Sequence, residues 1–263
     1  MSEDQVRFTV FTKAWKMPIP ELGAMIRGLG VYGIELPVRP GYQVEPGQVT
    51  RALPAAARQL AESGVKIHSV AGPADEPTIA ACAQVGVPVL RVMAPVGPEG
   101  YLAAERRLQE EYDALVPLLD RYGVTLGVQN HCGRWVTSAI GLRRLVEKYD
   151  PRHVAAVWDP AHCALDGELP ELAADILSSH LCMVNLKNAC WRRRAAPPGS
   201  GIVEWEHYWT TGREGLASWP DVAAELRKRH YRGVVCLSAQ YSDEQSVDRF
   251  LAEDVAFARS LFA

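Results

Sequence analysis

His153–His162 reads HVAAVWDPAH, and this stretch decides the fold. Val154–Trp158 is apolar without interruption, as expected of a parallel strand covered on both faces. The run stops abruptly at Asp159 and Pro160, with His162 three residues beyond the Asp. Polar groups at the carboxyl end of a buried strand are where α/β sheets and barrels carry their chemistry. Other apolar runs end in the same way, in Gln129-Asn130-His131, Asn185-Leu186-Lys187 and Gln240. If these runs are neighbouring barrel strands, their terminal side chains converge on one spot.

Outward from this stretch a strand-then-helix unit repeats, its helix often closed by glycine. Strands are predicted at Arg7–Phe11, Gly33–Pro37, Val65–Val70, Pro88–Ala94, Val124–Val128, Val154–Trp158, Leu181–Leu186 and Gly233–Ala239. Helices are predicted over about Pro18–Leu29, Val49–Ser63, Glu76–Val85, Pro98–Tyr122, Thr137–Tyr149, Pro170–Ser178, Trp219–His230 and Glu244–Leu261. Gly30, Gly64, Gly86 and Gly123 are the expected helix stops. Eight such units predict a single (β/α)8 TIM barrel, with residues 1–263 as one domain because no linker divides them. The longest insertion, 188–217, lies between strands seven and eight and is rich in Arg, Trp, Pro and Gly. A loop of that length is expected to be functional or disordered, and Trp191 with the arginines after it would suit a lid over a sugar.

The bulk composition excludes several classes. A net charge of −3 gives no electrostatic reason to expect nucleic acid or an anionic membrane as partner. No apolar stretch approaches the roughly 18 residues of a transmembrane helix. The start, MSEDQVRFTV, is acidic where a signal peptide needs a basic and then an apolar run. Six cysteines are scattered without a CxxC, several in predicted strands, so reduced thiols in a cytoplasmic protein are expected.

The strand ends supply the candidate site: Glu35, His68, Arg91, Gln129, Asp159 with His162, Asn185 with Lys187, and Gln240. Asp159 could ligate a metal or orient a catalytic group, or could only cap the turn that follows it. His68, taken as the end of the third strand, and His162 are imidazoles able to titrate near neutrality. Lys187 stands in an apolar run, where a lysine is costly without a partner; it could pair with an anion or polarise a carbonyl. Glu35 could face the pocket or form an ion pair with Arg91 across the barrel mouth. Gln129 and Gln240 could bond sugar hydroxyls or each other, and His131 is a further candidate substrate contact. Amides bring no charge to a cation and cannot serve as general bases.

The motifs VTLGVQNH (124–131), WDPAH (158–162), VNLKN (184–188) and YRGVVCLSAQ (231–240) resemble the sugar phosphate isomerase/epimerase family. That family belongs to the xylose-isomerase-like TIM barrel superfamily, with inosose dehydratase, ketose 3-epimerases and the apurinic-site endonuclease. The resemblance implies one divalent cation (Mn, Mg or Zn) held at the ends of strands five to eight by Glu, Asp, His and Glu. The two Glu residues double as acid-base pair. In this chain the four positions are Gln129, Asp159, Asn185 and Gln240, so one of the four usual ligand types is kept and both carboxylates of the pair are absent. Any cation held by these four would be weakly bound, and no tightly bound cofactor is expected.

These readings point to an enzyme acting on a small sugar, keto-sugar or polyol. It would transfer a proton at the carbon next to a carbonyl, by isomerisation, epimerisation or dehydration. His68, Asp159, His162 and Lys187 are the expected catalytic residues. Glu35, Arg91, Gln129, His131, Asn185, Gln240 and Trp191 are the expected substrate contacts. The alternative is a catalytically altered barrel that binds a sugar-like ligand without turnover. A homo-oligomer is left open. The acidic balance and the missing zinc-ligand cluster argue against the nuclease.

Overall fold

Eight parallel strands close into a barrel in the order β1, β10, β7, β6, β5, β4, β3, β2. They are β1 (Arg7–Phe11), β2 (Gly33–Pro37), β3 (Lys66–Ala71), β4 (Val89–Met93), β5 (Thr125–Gln129), β6 (Val154–Trp158), β7 (Leu181–Leu186) and β10 (Val234–Leu237). This computed structural model describes residues 6–195, 199 and 201–263. The first five residues of the acidic N-terminus, and 196–198 with 200 of the expected lid, lie outside the described residues.

Helices join the strands: α1 (Ile19–Gly28), α2 (Val49–Glu62), α3 (Glu76–Gln84), α4 (Tyr101–Tyr122), α5 (Ala139–Val146), α6 (Pro160–Leu165), α7 (Pro170–Leu177), α8 (Trp219–Lys228) and α9 (Val247–Phe262). The glycine stops work as expected. Gly123 takes the left-handed conformation, φ 62°, which costs glycine little, and its N–H bonds back to Asp120 and Leu119 at the end of α4.

Side chains alternate across each strand, and that alternation builds two layers. Val10, Ile34, Leu90, Ala156, Trp158 and Val184 pack outward in one cluster with helix residues such as Leu22, Leu53, Leu142, Val222 and Leu251. Phe11, Ala71, Val157, Met183 and Cys236 fill the barrel itself. The same alternation aims the site. Asp159 follows Val157 on the inward face, and Asn185 and Lys187 follow Met183.

Two elements depart from the expected order. A short helix, α6, begins directly after Asp159, so His162 lies in a helix rather than a loop. The insertion is an antiparallel hairpin rather than a structureless loop: β8 (Asn188–Arg194) pairs with β9 (Glu204–Thr210), from Asn188 opposite Thr210 to Arg194 opposite Glu204. Asn188 fastens the base of the insertion. Its amide donates to the carbonyls of Gly212 and Ala217 and accepts from the N–H groups of Ala189 and Ala217. All six cysteines are free. No helix among the described residues is long and apolar enough to cross a membrane.

Candidate active site at the carboxyl ends of the strands

A chain of eight hydrogen-bonded side chains crosses the mouth of the barrel, each from a different strand or the residues just past its carboxyl end. Glu35 receives two bonds from Arg91, Nε to Oε1 at 2.8 Å and Nη2 to Oε2 at 2.6 Å, and a third from Ser69. Arg91 also donates to Gln129 Oε1. The Gln129 amide donates in turn to Asp159 Oδ2 at 2.9 Å, and Lys187 Nζ lies 3.3 Å from that same oxygen. Lys187 reaches on to Gln240 Oε1 at 3.3 Å, which also accepts from Lys13 Nζ at 2.8 Å. A two-pronged guanidinium–carboxylate bond and a buried ammonium–carboxylate pair thus fix the amides between them.

Burial sets the electrostatics. Glu35, Asp159 and His162 are fully buried, and Arg91, Gln129, Asn185 and Lys187 nearly so. Burial pushes the Asp159 carboxyl up and the Lys187 amine down, and each opposes the other's shift with its charge. The Trp209 ring from the hairpin lies 4.6 Å from Lys187 Nζ, a further contact that favours the cation. Burial, then the charges of Lys187, Arg91 and Arg39, lowers the Lys13 amine to about 7.

The imidazoles form a second group. His131 and His162 lie with ring centroids 4.0 Å apart, and Trp209 meets His162 edge-on at 5.4 Å. His131 Nδ1 lies 2.8 Å from the Cys132 carbonyl, which can only accept, so the neutral ring carries its proton on Nδ1 and a lone pair on Nε2. Burial, and then Lys187, lowers His131 to about 4. His162 is driven further down by the same causes, and neither of its nitrogens has a hydrogen-bond partner. Its Nε2 is 3.6 Å from Asp159 Oδ2, too far for a hydrogen bond. His131, Cys132 and His162 each place one ligand atom within 4.8 Å of the others, although burial raises the Cys132 thiol to about 11 and keeps it protonated.

A cavity of about 170 Å³ opens above the chain of bonds, lined among others by Lys13, Arg39, His131, Asn185, Lys187 and Gln240. An adjoining cavity of about 720 Å³ shares Lys13 and Gln240 with it and runs under Trp209. Ala239, with φ 45°, turns the backbone so that Gln240 belongs to both. Asn185 Oδ1 and Asp159 Oδ1 are buried acceptors with no donor.

Most of the expected residues meet here, with two corrections, at His68 and Trp191. His68 stands at the other end of the barrel. β3 runs on to Ala71, and the His68 ring lines a cavity of about 590 Å³ with Arg7, Gly33 and Lys66, the first residues of their strands. Trp191 faces away from the site: its Nε1 donates to the Leu165 carbonyl at 3.0 Å and its ring packs on His207, which anchors the hairpin to α6. Gln129 and Gln240 do not bond each other, because each is held by charged neighbours. Of the open alternatives, Glu35 forms the ion pair with Arg91, and the Asp159 carboxylate makes no capping hydrogen bond to α6. Lys13 and Arg39 were not among the expected residues. Each lies two positions past a strand's carboxyl end, after Phe11 and after Pro37, and that spacing is the signal that could have found them.

Residues 24–261 match the family model of the xylose isomerase-like TIM barrel. No curated protein matches the chain. Among solved structures, the 3-keto-D-glucoside 4-epimerase of E. coli is similar at 15% identity and TM-score 0.74, over 97% of this chain and 100% of that one. D-psicose 3-epimerase of Clostridium cellulolyticum H10 is similar at 12% identity and TM-score 0.74, over 98% and 99%. A probable 3-DHS dehydratase of Bacillus anthracis is similar at 14% identity and TM-score 0.68, over 97% and 99%. At these identities the likeness to solved structures is one of fold.

Proposed function

The chain belongs to the xylose isomerase-like TIM barrel family, and from that premise we propose an enzyme that moves a proton at the carbon next to a carbonyl of a small keto-sugar or polyol-derived substrate. The observation that carries the reading is the position of Lys187. Its ammonium touches Asp159 and Gln240, two of the four strand-end positions where a divalent cation would be held in the family this chain resembles.

A divalent cation suits these residues poorly. Asp159 Oδ2 is engaged by Lys187 and Gln129, Gln129 Oε1 by Arg91, and Gln240 Oε1 by two ammonium groups. Glu35 is bound to Arg91. A dication would meet two carboxylates already paired with cations and three cationic side chains, Arg91, Lys187 and Lys13, and like charges at such range are strongly unfavourable. In our reading the Lys187 ammonium polarises the substrate carbonyl instead, as a preorganised positive charge beside the developing oxyanion.

The remaining residues fit around that step. The orphaned acceptors Asn185 Oδ1 and Asp159 Oδ1 receive substrate hydroxyls. His131, neutral with its lone pair on Nε2, takes the proton; lowered to about 4, it is as basic as an ordinary carboxylate. Return of the proton by His131 to the neighbouring carbon, as the hydroxyl proton passes from that carbon's oxygen to the former carbonyl oxygen, gives an isomer. Protonation by solvent on the opposite face, with the His131 proton lost to water, gives an epimer. Expulsion of a β-hydroxyl, which takes up the His131 proton and leaves as water, gives a dehydrated product. The His162 ring packs against that of His131. The epimerases and the dehydratase of the same fold are consistent with the second and third outcomes.

The test is solvent exchange. Keto-sugars and sugar acids incubated with the protein in D₂O should gain deuterium at the carbon next to the carbonyl, read by NMR. Binding without deuterium uptake would favour the alternative, a barrel that holds its ligand without turnover. The exchange should also show an acid limb. Because the His131 pKa is lowered to about 4 and the base form must be free, the rate should stay full down to about pH 5 and fall as pH drops through about 4. A limb at the ordinary imidazole value, or its persistence in His131→Asn, would assign the base elsewhere.

A further inference from the structure

We propose that Lys13 and Arg39 form an anion subsite, so that the substrate carries a carboxylate or phosphate beside its reacting carbonyl. This rests on the reading of the cavity as a substrate site and goes beyond it by naming the substrate's charge class.

Charge balance is the ground for it. Lys13, Arg39, Arg91 and Lys187 all line the cavity of about 170 Å³, and Glu35 and Asp159 are the carboxylates bound to them. Arg91 is satisfied by Glu35, and Lys187 by Asp159. Lys13 has only the uncharged oxygen of Gln240, and among the described residues neither Lys13 nor Arg39 forms an ion pair. Three cations crowd one ring. Arg91, Arg39 and Lys13 lie 4.7, 5.5 and 5.6 Å from the centroid of Phe11. Ring contacts of this kind offset a fraction of the repulsion, on the order of 1 kcal/mol each, and supply no negative charge.

The two unpaired cations are also held in place. Val38 bridges Val44, and the Arg39 N–H bonds the Val44 carbonyl. Tyr42, in the same loop, donates through its hydroxyl to the Lys13 carbonyl at 3.0 Å, which ties the two segments together. A guanidinium and an ammonium lining the same small cavity, on segments tied to each other, suit the oxygens of a carboxylate or phosphate. The chain as a whole carries a charge of −3, so the local excess of positive charge is a property of this cavity.

Three matched probes test the inference by calorimetry: D-sorbitol, D-gluconate and D-sorbitol 6-phosphate. They present the same carbon chain with a neutral, a carboxylate and a phosphate end. At least one of the acids should bind about tenfold or more tightly than sorbitol, with the advantage shrinking at high salt. Preference for gluconate assigns the carboxylate, and preference for the phosphate ester assigns the phosphate. Arg39→Gln should remove most of the advantage, read as the ratio of acid to sorbitol affinity within the same variant, while Arg39→Lys should keep part of it. Equal binding of all three probes, binding of none, or an acid preference that survives both Arg39→Gln and Lys13→Met would overturn the subsite. Deuterium exchange on a neutral keto-sugar with no acid preference would overturn the subsite and leave the proposed reaction standing. Acid preference without exchange on any substrate would do the reverse.

Discussion

Lys187→Met is expected to lower the rate of proton exchange by about 10²–10³-fold, the usual cost of deleting one preorganised donor to a developing oxyanion. Substrate affinity should change less, because the carbonyl oxygen gains most of its charge in the transition state. The substitution also strips Asp159 of its counter-charge in a fully buried setting, so some stability is lost with it. A second variant separates the two effects. Adding Asp159→Asn to Lys187→Met should recover the thermal midpoint, because the orphaned charge is gone, but leave the rate low. An exchange rate in Lys187→Met equal to that of the parent protein would remove Lys187 from the chemistry.

The second large effect concerns stability. Glu35→Gln leaves the Arg91 guanidinium, 5% exposed, without its carboxylate. Breaking a buried ion pair from one side typically costs about 3–5 kcal/mol. Since a domain is stable by only about 5–15 kcal/mol in total, the urea midpoint should fall by a large fraction of its value. Replacing both partners, Glu35→Leu with Arg91→Met, should be much closer to neutral, because no charge is then left buried and alone. A midpoint unchanged in Glu35→Gln would mean that Arg91 finds another partner or water, and the rigid floor under Gln129 and Asp159 would be lost from the account.

The strands were legible wherever an apolar run was bounded by glycine, proline or a charge. Arg7–Phe11, Gly33–Pro37, Val154–Trp158 and Leu181–Leu186 have the expected bounds. Periodicity did not reveal α6, since six residues make fewer than two turns and give no repeat to read. The hairpin left a signal, the alternation of Trp205, His207 and Trp209 along β9, which the density of Arg, Pro and Gly around it obscured. His68 was misplaced because a continuous apolar run does not mark where inside it a strand ends. β3 runs one residue past its expected end, and the register between β2 and β3 shifts at Ile34 and Glu35. At the site, residue types at strand ends indicated that Glu35, Arg91, Gln129, Asp159, Asn185, Lys187 and Gln240 would meet. They could not indicate that an ammonium would stand beside Asp159, because Lys187 finds its partners just past the ends of the two neighbouring strands, 28 and 53 residues away in sequence. Lys13 and Arg39 lie in short connections, where neither periodicity nor a motif draws attention to a cation.

The central claim is that the Lys187 ammonium takes the part a divalent cation plays at these strand ends. The measurement that tests it most directly is metal content together with exchange rate, before and after exhaustive chelation, on protein purified without added metal. We expect no stoichiometric manganese, magnesium or zinc, and an exchange rate that chelation leaves unchanged. One equivalent of metal, at the strand ends or at His131, Cys132 and His162, that leaves on chelation together with the activity would contradict it.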